Sequence, residues 1–174
     1  MNPYKLYIKQ TLFDGQEYVS SGTVVDTYAQ WGIVCSQSPY KRYGDPKDVV
    51  SRNWLDEHGE DVYIPQSIRL KKFDLEISFI CTGTANNVRT NVKDFLAYLM
   101  GKPSFVAVTG PRLAIYDTFN DMGWKDVRMK SYSTDALIMD NGDDEVVLEF
   151  KVLFEVFDPY TEVKYSASKG IWWQ

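Results

Sequence analysis

The fold is decided by residues 71–101, which read KKFDLEISFICTGTANNVRTNVKDFLAYLMG. In the first part of this stretch, apolar and polar side chains alternate strictly. The apolar set is Phe73, Leu75, Ile77, Phe79 and Cys81, and the polar set is Lys72, Asp74, Glu76 and Ser78. A period of two predicts a strand that buries one face and exposes the other to water.

After residue 84 the hydrophobic period changes from that of a strand to that of a helix. Thr84, Asn86 and Asn87 offer oxygens for an N-cap, Gly101 can end the helix in the left-handed conformation, and Pro103 prevents its continuation. We expect this to be the only helix, held by packing on a sheet because so short a helix is marginal alone. Its apolar stripe consists of Val88, Val92, Phe95, Leu96 and Leu99.

Most of the remaining sequence predicts strands, because it alternates in polarity or is rich in β-branched and aromatic residues. Asp14-Gly15 and Asn141-Gly142 are typical of hairpin turns, Gly32 predicts a bulge or a close backbone approach, and residues 118–124 predict a loop. The pattern favours a mainly β fold, a β-sandwich or split barrel with one α-helix packed on a sheet, in one domain over residues 1–174. The predicted strands cover residues 4–13, 16–19, 23–35, 62–64, 105–108, 113–116, 127–132, 136–139 and 146–157.

The last long strand carries apolar residues on both faces. Its inward set would be Val146, Leu148, Phe150, Val152, Phe154 and Val156. Its outward face also holds Val147, Leu153 and Phe157, which water alone does not explain. These three lie either under the helix or a loop, or against another subunit, and the sequence favours neither.

The apolar C-terminal tail, at residues 165–174, poses a similar question. It carries Ile171, Trp172 and Trp173 close to the last residue. Three large apolar side chains there either dock onto this domain or onto a neighbour, so we name them as interface candidates.

Residues 36–53, which read SQSPYKRYGDPKDVVSRN, predict a long irregular loop or arm. Tyr40, Lys41, Arg42 and Tyr43 lie in it, and Trp54 follows it directly. Basic residues interleaved with aromatic ones also occur in nucleic-acid patches. Because the chain around them is acidic, an exposed loop or a protein contact is the favoured interpretation.

Composition excludes several classes of partner. The net charge of −5 argues against diffuse binding to nucleic acid or to an anionic membrane. The N-terminal residues MNPYKLYIKQ hold no apolar signal core, and no apolar run approaches the roughly 20 residues that span a bilayer. We therefore expect synthesis in a cytoplasm, with Cys35 and Cys81 as buried thiols rather than a disulfide.

No catalytic, cofactor or metal constellation stands out. The single histidine, His58, sits among carboxylates and would serve as a general base or metal ligand, but a solvated turn is the favoured interpretation. Asp140, Asp143, Asp144 and Glu145 surround a predicted turn, and their spacing does not fit the twelve-residue calcium loop. We predict no catalytic residue, no cofactor and no metal, and calcium binding at that turn stays open.

The order of features resembles a known family. It runs through YAQWGI at residues 28–33, YKRY at 40–43, WLDEHG at 54–59 and RLKK at 69–72, and then the alternating strand and amphipathic helix. This order is similar to that of small tail structural proteins of phages and prophages, in the distal tail and tail-tube superfamily. The resemblance covers most of residues 24–157, by pattern and order rather than by a sharp motif.

The resemblance implies a β-sandwich or split barrel with one flanking helix, in a virion component that is not an enzyme. Its members form hexameric rings that contact other tail or baseplate proteins. Residues 36–53 would then be the inter-subunit loop, and residues 54–61 the turn that follows. Larger distal tail proteins carry a second, C-terminal domain, which puts attachment of receptor-binding proteins in doubt for this sequence.

A different class of function stays open from the residues alone. The aromatic residues would serve a monomeric β-sandwich module as stacking platforms for carbohydrate, or as contacts for protein. A hydrolase that uses His58 is the least favoured of the three interpretations.

Overall fold

The computed structural model describes residues 4–13, 18–19, 22–53, 55, 58–59, 61–63, 65–101, 112–135 and 145–173. The mainly β fold predicted from the sequence is confirmed in these residues. In chain order the elements are β1 (Leu6–Phe13), β2 (Tyr18–Val19), β3 (Val25–Asp26), α1 (Thr27–Trp31), β4 (Ile33–Gln37), β5 (Ser51–Arg52), β6 (Asp61–Val62), β7 (Phe73–Thr84), α2 (Ala85–Leu99), β8 (Arg112–Asp117), β9 (Met122–Asp135), β10 (Glu145–Val156), β11 (Val163–Ser166) and β12 (Gly170–Trp173).

One large antiparallel sheet organises the molecule. Its strand order is β2-β1-β8-β9-β10-β7-β4, and β3 also pairs with β1. The two ends of the sheet approach each other, because the backbone N–H of Cys35 on β4 donates to the carbonyl of Tyr4, just before β1, at 2.9 Å. The sheet therefore curls on itself, as in a split barrel.

The centre of the core lies between β7 and β10. All five apolar residues of the β7 alternation are at most 5% exposed, as predicted. Phe79 lies opposite Phe150 in the register, and their ring centroids are 5.4 Å apart. Ser78 was expected in water but is buried, because it lies between Lys151 on β10 and Gln37 on β4.

Helix α2 packs on this pair of strands. Its buried residues are Val88, Val92, Phe95, Leu96 and Leu99, the five that the sequence predicted. The ring of Phe95 lies 5.3 Å from that of Phe79. Thr84 is the N-cap residue, but its side chain makes no capping hydrogen bond. Gly101 has the expected positive φ, of 90°, and its N–H donates to the carbonyl of Tyr98 at 2.9 Å.

A second helix, α1, corrects two predictions. The sequence predicted one strand over residues 23–35 and only one helix in the chain. Instead, Oδ1 of Asp26 accepts hydrogen bonds from the backbone N–H groups of Tyr28 (2.9 Å) and Ala29 (3.1 Å), which caps a five-residue helix. Gly32 ends that helix with a φ of 65°, so it is a C-cap and not a bulge. Both caps outweigh the β-propensity of the residues between them.

The loop predicted over residues 118–124 is shorter than expected. Strand β9 already begins at Met122, and the side chains of Met122 and Trp124 are 2% exposed. Pairing of β1 with β2 and of β9 with β10 confirms the two hairpins. Their Asp14-Gly15 and Asn141-Gly142 turns, and the strands predicted at residues 105–108 and 136–139, lie outside the described residues.

A hairpin of β11 and β12 covers the outer face of β1 and β8. Strand β8 sends Leu113 and Ile115 into the main core and Ala114 to the opposite face. Val163 and Ile171 of the hairpin pack against Ala114 and form a second, smaller core. This outer layer brings residues 159–164 next to the arm.

Candidate interaction surface

The arm, residues 36–53, is bound to its own domain along much of its length. The N–H of Lys47 donates to the carbonyl of Arg69, and the N–H of Lys71 donates to that of Asp45, both at 2.7 Å. Nε1 of Trp124 donates to the carbonyl of Lys41 at 3.0 Å. The arm was expected to be irregular, and it has no regular secondary structure between the end of β4 at Gln37 and the start of β5 at Ser51 except for one isolated bridge between Pro46 and Leu70. The hydrogen bonds nevertheless give it a definite path.

Gly44 allows the closest approach in the arm. A Cβ atom at this position would lie 1.9 Å from the carbonyl oxygen of Lys71 and 3.0 Å from Cβ of Pro159. No side chain fits at such distances, so the path of the arm requires glycine here.

Although its backbone is held, the arm and the segment after it expose many apolar side chains. Among the described strands, β5 and β6 pair only with each other, and a two-stranded ribbon has no second layer of its own to cover its side chains. Among the described residues, eight of the fourteen exposed large apolar side chains lie between residues 40 and 68. They are Tyr40, Tyr43, Val49, Val50, Leu55, Val62, Tyr63 and Ile68. A concentration of this kind marks an interaction site.

Two adjoining clefts, of about 470 and 230 Å³, share Lys47, Ile68 and Arg69 in their walls. We call them together the arm groove. Val50 and Tyr63 line one end of it, and Tyr160 lines the other. The arm groove therefore combines an apolar floor with two basic side chains.

A third cleft, of about 270 Å³, lies on the other side of Tyr160. We call it the aromatic cleft. Its walls include Tyr43, Tyr160, Glu162, Lys164 and Trp172. The rings of Tyr43 and Tyr160 are 6.3 Å apart at an interplanar angle of 30°. The arm here meets the segment after β10 and the tail, which lie more than a hundred residues further along the chain.

Besides Tyr43, one interface candidate of the arm, Arg42, lies beside this cleft. Arg42 places a guanidinium nitrogen 3.5 Å from a carboxylate oxygen of Glu162. Tyr40 is exposed, and the side chain of Lys41 is half-buried with its Nζ 5.1 Å from the ring centre of Phe73. Trp54 lies outside the described residues.

Phe157 is covered by cations of its own chain. The guanidinium carbons of Arg112 and Arg128 lie 4.3 and 5.3 Å from its ring centre, and Nζ of Lys72 lies 5.4 Å from it. Such contacts satisfy an aromatic ring that would otherwise face water. Val147 and Leu153, on the same outward face of β10, are half-buried.

The carboxylate of Glu155 neutralises part of this cationic layer. It accepts hydrogen bonds from Lys72 at 2.6 Å and from Arg128 at 3.0 Å. The bond from Lys72, followed by that from Arg128, lowers the pKa of Glu155 below its ordinary value. The outer face of β10 near Phe157 is thus a closed electrostatic network.

The C-terminal residues dock onto their own domain. Ile171 is 3% exposed and belongs to the outer core. Trp173 packs against the same cluster, and Nζ of Lys125 lies 5.3 Å from its ring centre. Trp172 is half-buried and lines the aromatic cleft. Of the two positions that the sequence left open for the tail, the structure shows the intramolecular one.

The described residues offer little acid–base or metal chemistry. His58 and Glu145 are exposed, and Asp140, Asp143 and Asp144 lie outside the described residues. Within the described part of the chain, no group of three or more His, Cys, Asp or Glu side chains could hold a metal ion. No helix among the described residues is both long enough and apolar enough to cross a membrane.

Both cysteines are free and buried, as predicted. Burial raises the pKa of the Cys35 thiol to about 12, and the negative charge of Asp117 adds to this effect. Burial also raises the pKa of Cys81. Both therefore remain neutral thiols at physiological pH.

Sequence reasoning did not single out several residues of this surface, chiefly Val50, Tyr63, Ile68 and Tyr160. For Tyr63, the sequence did contain a signal that it is exposed. Residues 62–64 form a short apolar run next to Pro65, with no alternating partner strand nearby in sequence. An apolar run too short to reach the core indicates an exposed patch.

No protein-family model and no curated protein matches the sequence. Among solved structures, the chain is similar to the SPP1 Dit protein (gp 19.1), described as a paradigm of the hub adsorption apparatus in phages that infect Gram-positive bacteria. The TM-score is 0.50 at 14% sequence identity, over 91% of this chain and 52% of that one. The chain thus spans about half the length of the Dit protein, and at this identity the likeness is one of fold.

Proposed function

We propose that this protein is a structural component of a phage or prophage tail, similar to distal tail or tail-tube proteins, that self-assembles into a ring. It acts there as a single tail-protein-like domain and not as an enzyme. The observation that carries the proposal is the arm surface, by which we mean the exposed apolar side chains between residues 40 and 68, on a backbone that hydrogen bonds hold against the domain. The fold likeness to a phage hub protein supplies the context.

The arm surface exposes apolar area to water, which raises the free energy of the isolated chain. Exposed apolar area is unfavourable in water, at about 25 cal/mol per Å². Obligate interfaces between subunits are more apolar than ordinary surface and bury aromatic residues at their centre. Tyr63 in the arm surface and Tyr160 in the wall of the arm groove are 71% and 76% exposed in the isolated chain, so a neighbouring subunit is the simplest partner for them.

A head-to-tail contact between identical chains that closes on itself makes a ring, and about six subunits is the number that the resemblance to distal tail and tail-tube proteins implies. Other tail or baseplate proteins would bind the faces of the ring. The protein would be made in the cytoplasm of the bacterial host and reside in the virion tail, with no role for sequence-specific nucleic-acid or membrane binding.

Sedimentation velocity and negative-stain electron microscopy over a wide concentration range test this proposal. We expect rings of about six subunits. Tyr63→Glu should shift the chain to monomer, because it places a charge in the apolar patch. Tyr132→Glu is the matched control, since Tyr132 is 53% exposed on β9, outside the arm surface. A wild-type chain that stays monomeric at every concentration would overturn the proposal.

A second candidate function is carbohydrate binding at the aromatic cleft. Tyr43, Tyr160 and Trp172 offer ring faces for the apolar face of a pyranose, and Glu162 and Lys164 offer hydrogen bonds to hydroxyl groups. A glycan array with the wild type and Tyr160→Ala tests it. Binding by a monomeric chain that Tyr160→Ala abolishes and Tyr132→Ala leaves intact would favour this function over the first.

A further inference from the structure

We propose that the arm groove binds the segment of a second copy that connects β9 to β10, residues 136–144, together with Glu145. The inference rests on the proposed self-assembly and names the surfaces that meet in it. It is carried by the charge of the groove, the sequence of the connecting segment, and the distance between the two in one chain.

The arm groove presents two cations that no carboxylate of the described chain neutralises. Lys47 and Arg69 are exposed, and neither forms an ion pair with another described residue. The nearest acidic residue in the groove wall, Asp48, is already engaged, because Nζ of Lys71 lies 2.9 Å from both of its carboxylate oxygens. The groove therefore favours a ligand that carries negative charge.

The walls between these cations are apolar. Val49, Val50, Tyr63 and Ile68 line the groove, and all four are exposed. A ligand that fits must supply apolar side chains as well as carboxylates, which excludes a simple anion. A peptide segment in which an apolar run adjoins acidic residues meets both requirements.

The connecting segment has this composition. Residues 136–145 read ALIMDNGDDE, four apolar residues followed by a run with four carboxylates and no basic residue. Its acids, Asp140, Asp143, Asp144 and Glu145, would face Lys47 and Arg69, and its apolar half would cover the groove walls.

The distance along the sheet excludes binding within one chain. Strands β7 and β10 pair over their full length, from Phe73 opposite Val156 to Thr84 opposite Glu145. The groove adjoins the first end, because Leu70 just precedes β7 and Pro159 just follows β10. Twelve strand residues span roughly 35–40 Å, whereas a nine-residue connection anchored at both ends reaches about 15 Å.

The contact must therefore join two copies through different surfaces. Such a heterologous contact closes into a ring when the rotation between copies permits, and otherwise continues as a filament. It provides the head-to-tail geometry that ring assembly requires.

Charge reversal on full-length chains tests the proposal. The groove variant is Lys47→Glu with Arg69→Glu, and the segment variant is Asp143→Lys with Asp144→Lys. Each alone should weaken assembly by more than about tenfold in sedimentation velocity, because like charges then face each other. An equimolar mixture should assemble again, since the reversed groove meets the reversed segment and the unchanged groove meets the unchanged segment.

The matched control is Arg89→Glu with Lys93→Glu, which changes net charge as the groove variant does on the exposed face of α2. It should assemble like the wild type. Assembly of the groove variant at wild-type strength would overturn the contact, and so would failure of the mixture to restore it. If the wild type and the variants both form rings, the result overturns this contact but leaves the proposed ring standing. A strictly monomeric wild type overturns both the contact and the ring.

Discussion

The strand–helix unit of residues 73–99 and the arm surface of residues 40–68 are neighbours in sequence and opposites in construction. In the first, every apolar residue of the two periodic patterns is buried, and the rings of Phe79, Phe95 and Phe150 pack together. In the second, backbone hydrogen bonds fix the path while the apolar side chains face outward. The comparison indicates that the first region serves stability, and the second is the region through which we propose that the chain associates.

Truncation of a core aromatic side chain should produce the largest loss of stability. It is also the most direct test of the contrast between the two regions. Phe79→Ala removes a fully buried ring and should lower the free energy of unfolding by about 3–5 kcal/mol, measured by urea denaturation. Tyr63→Ala, on the arm surface, should change it by less than about 0.5 kcal/mol and yet weaken assembly. Equal losses of stability in the two variants would contradict the division of roles.

A side chain at Gly44 should separate the arm from the domain. Gly44→Ala places a Cβ against the carbonyl of Lys71, and such overpacking costs about 1–3 kcal/mol. Amide hydrogen exchange should rise in residues 40–50 and stay unchanged in α2. Unchanged exchange in the arm of Gly44→Ala would show that the arm is not held at this point.

Helix α1 lies near the strand–helix unit. Loss of its N-cap should lower the free energy of unfolding by a smaller amount. Asp26→Ala removes the acceptor of two backbone N–H groups and should cost about 1 kcal/mol. It also removes the ion pair with Lys5. Asp26→Asn keeps an N-cap acceptor and should recover most of the loss in thermal denaturation. If Asn and Ala destabilise equally, the ion pair and not the cap is responsible.

The smallest effect we expect is in the pH dependence of stability. The folded-state pKa of Glu155 is lowered below its ordinary value of 4.5, so its contribution is complete above that pH and is lost as pH falls through the folded pKa. In Glu155→Gln, the free energy of unfolding should therefore fall less steeply toward acid pH than in the wild type (the acid limb), as measured by denaturation at a series of pH values. Identical acid limbs for wild type and Glu155→Gln would contradict the role of the Lys72 and Arg128 pairs.

Local patterns predicted the centre of the fold but only part of the candidate site. The buried sets of β7 and α2 could be read from their periods, because each period maps directly onto one face of an element. Tyr43 and Trp172 were singled out as interface candidates, but their meeting with Tyr160 was not predicted, since more than a hundred residues separate Tyr43 from the other two. Phe157 also looked like an unpaired apolar residue until Arg112, Arg128 and Lys72 were placed around it.

The sequence by itself determined the mainly β class, the strand of residues 73–81 with its change to a helical period after residue 84, and the buried thiols. These features depend on the spacing of neighbouring residues, and burial periodicity is a local property. The tertiary structure alone decided that the sheet curls until Cys35 meets Tyr4, that the arm closes against Lys71, and that the tail docks beside Ala114. Those contacts join residues far apart in the chain, and their free energy exists only once the whole sheet has formed.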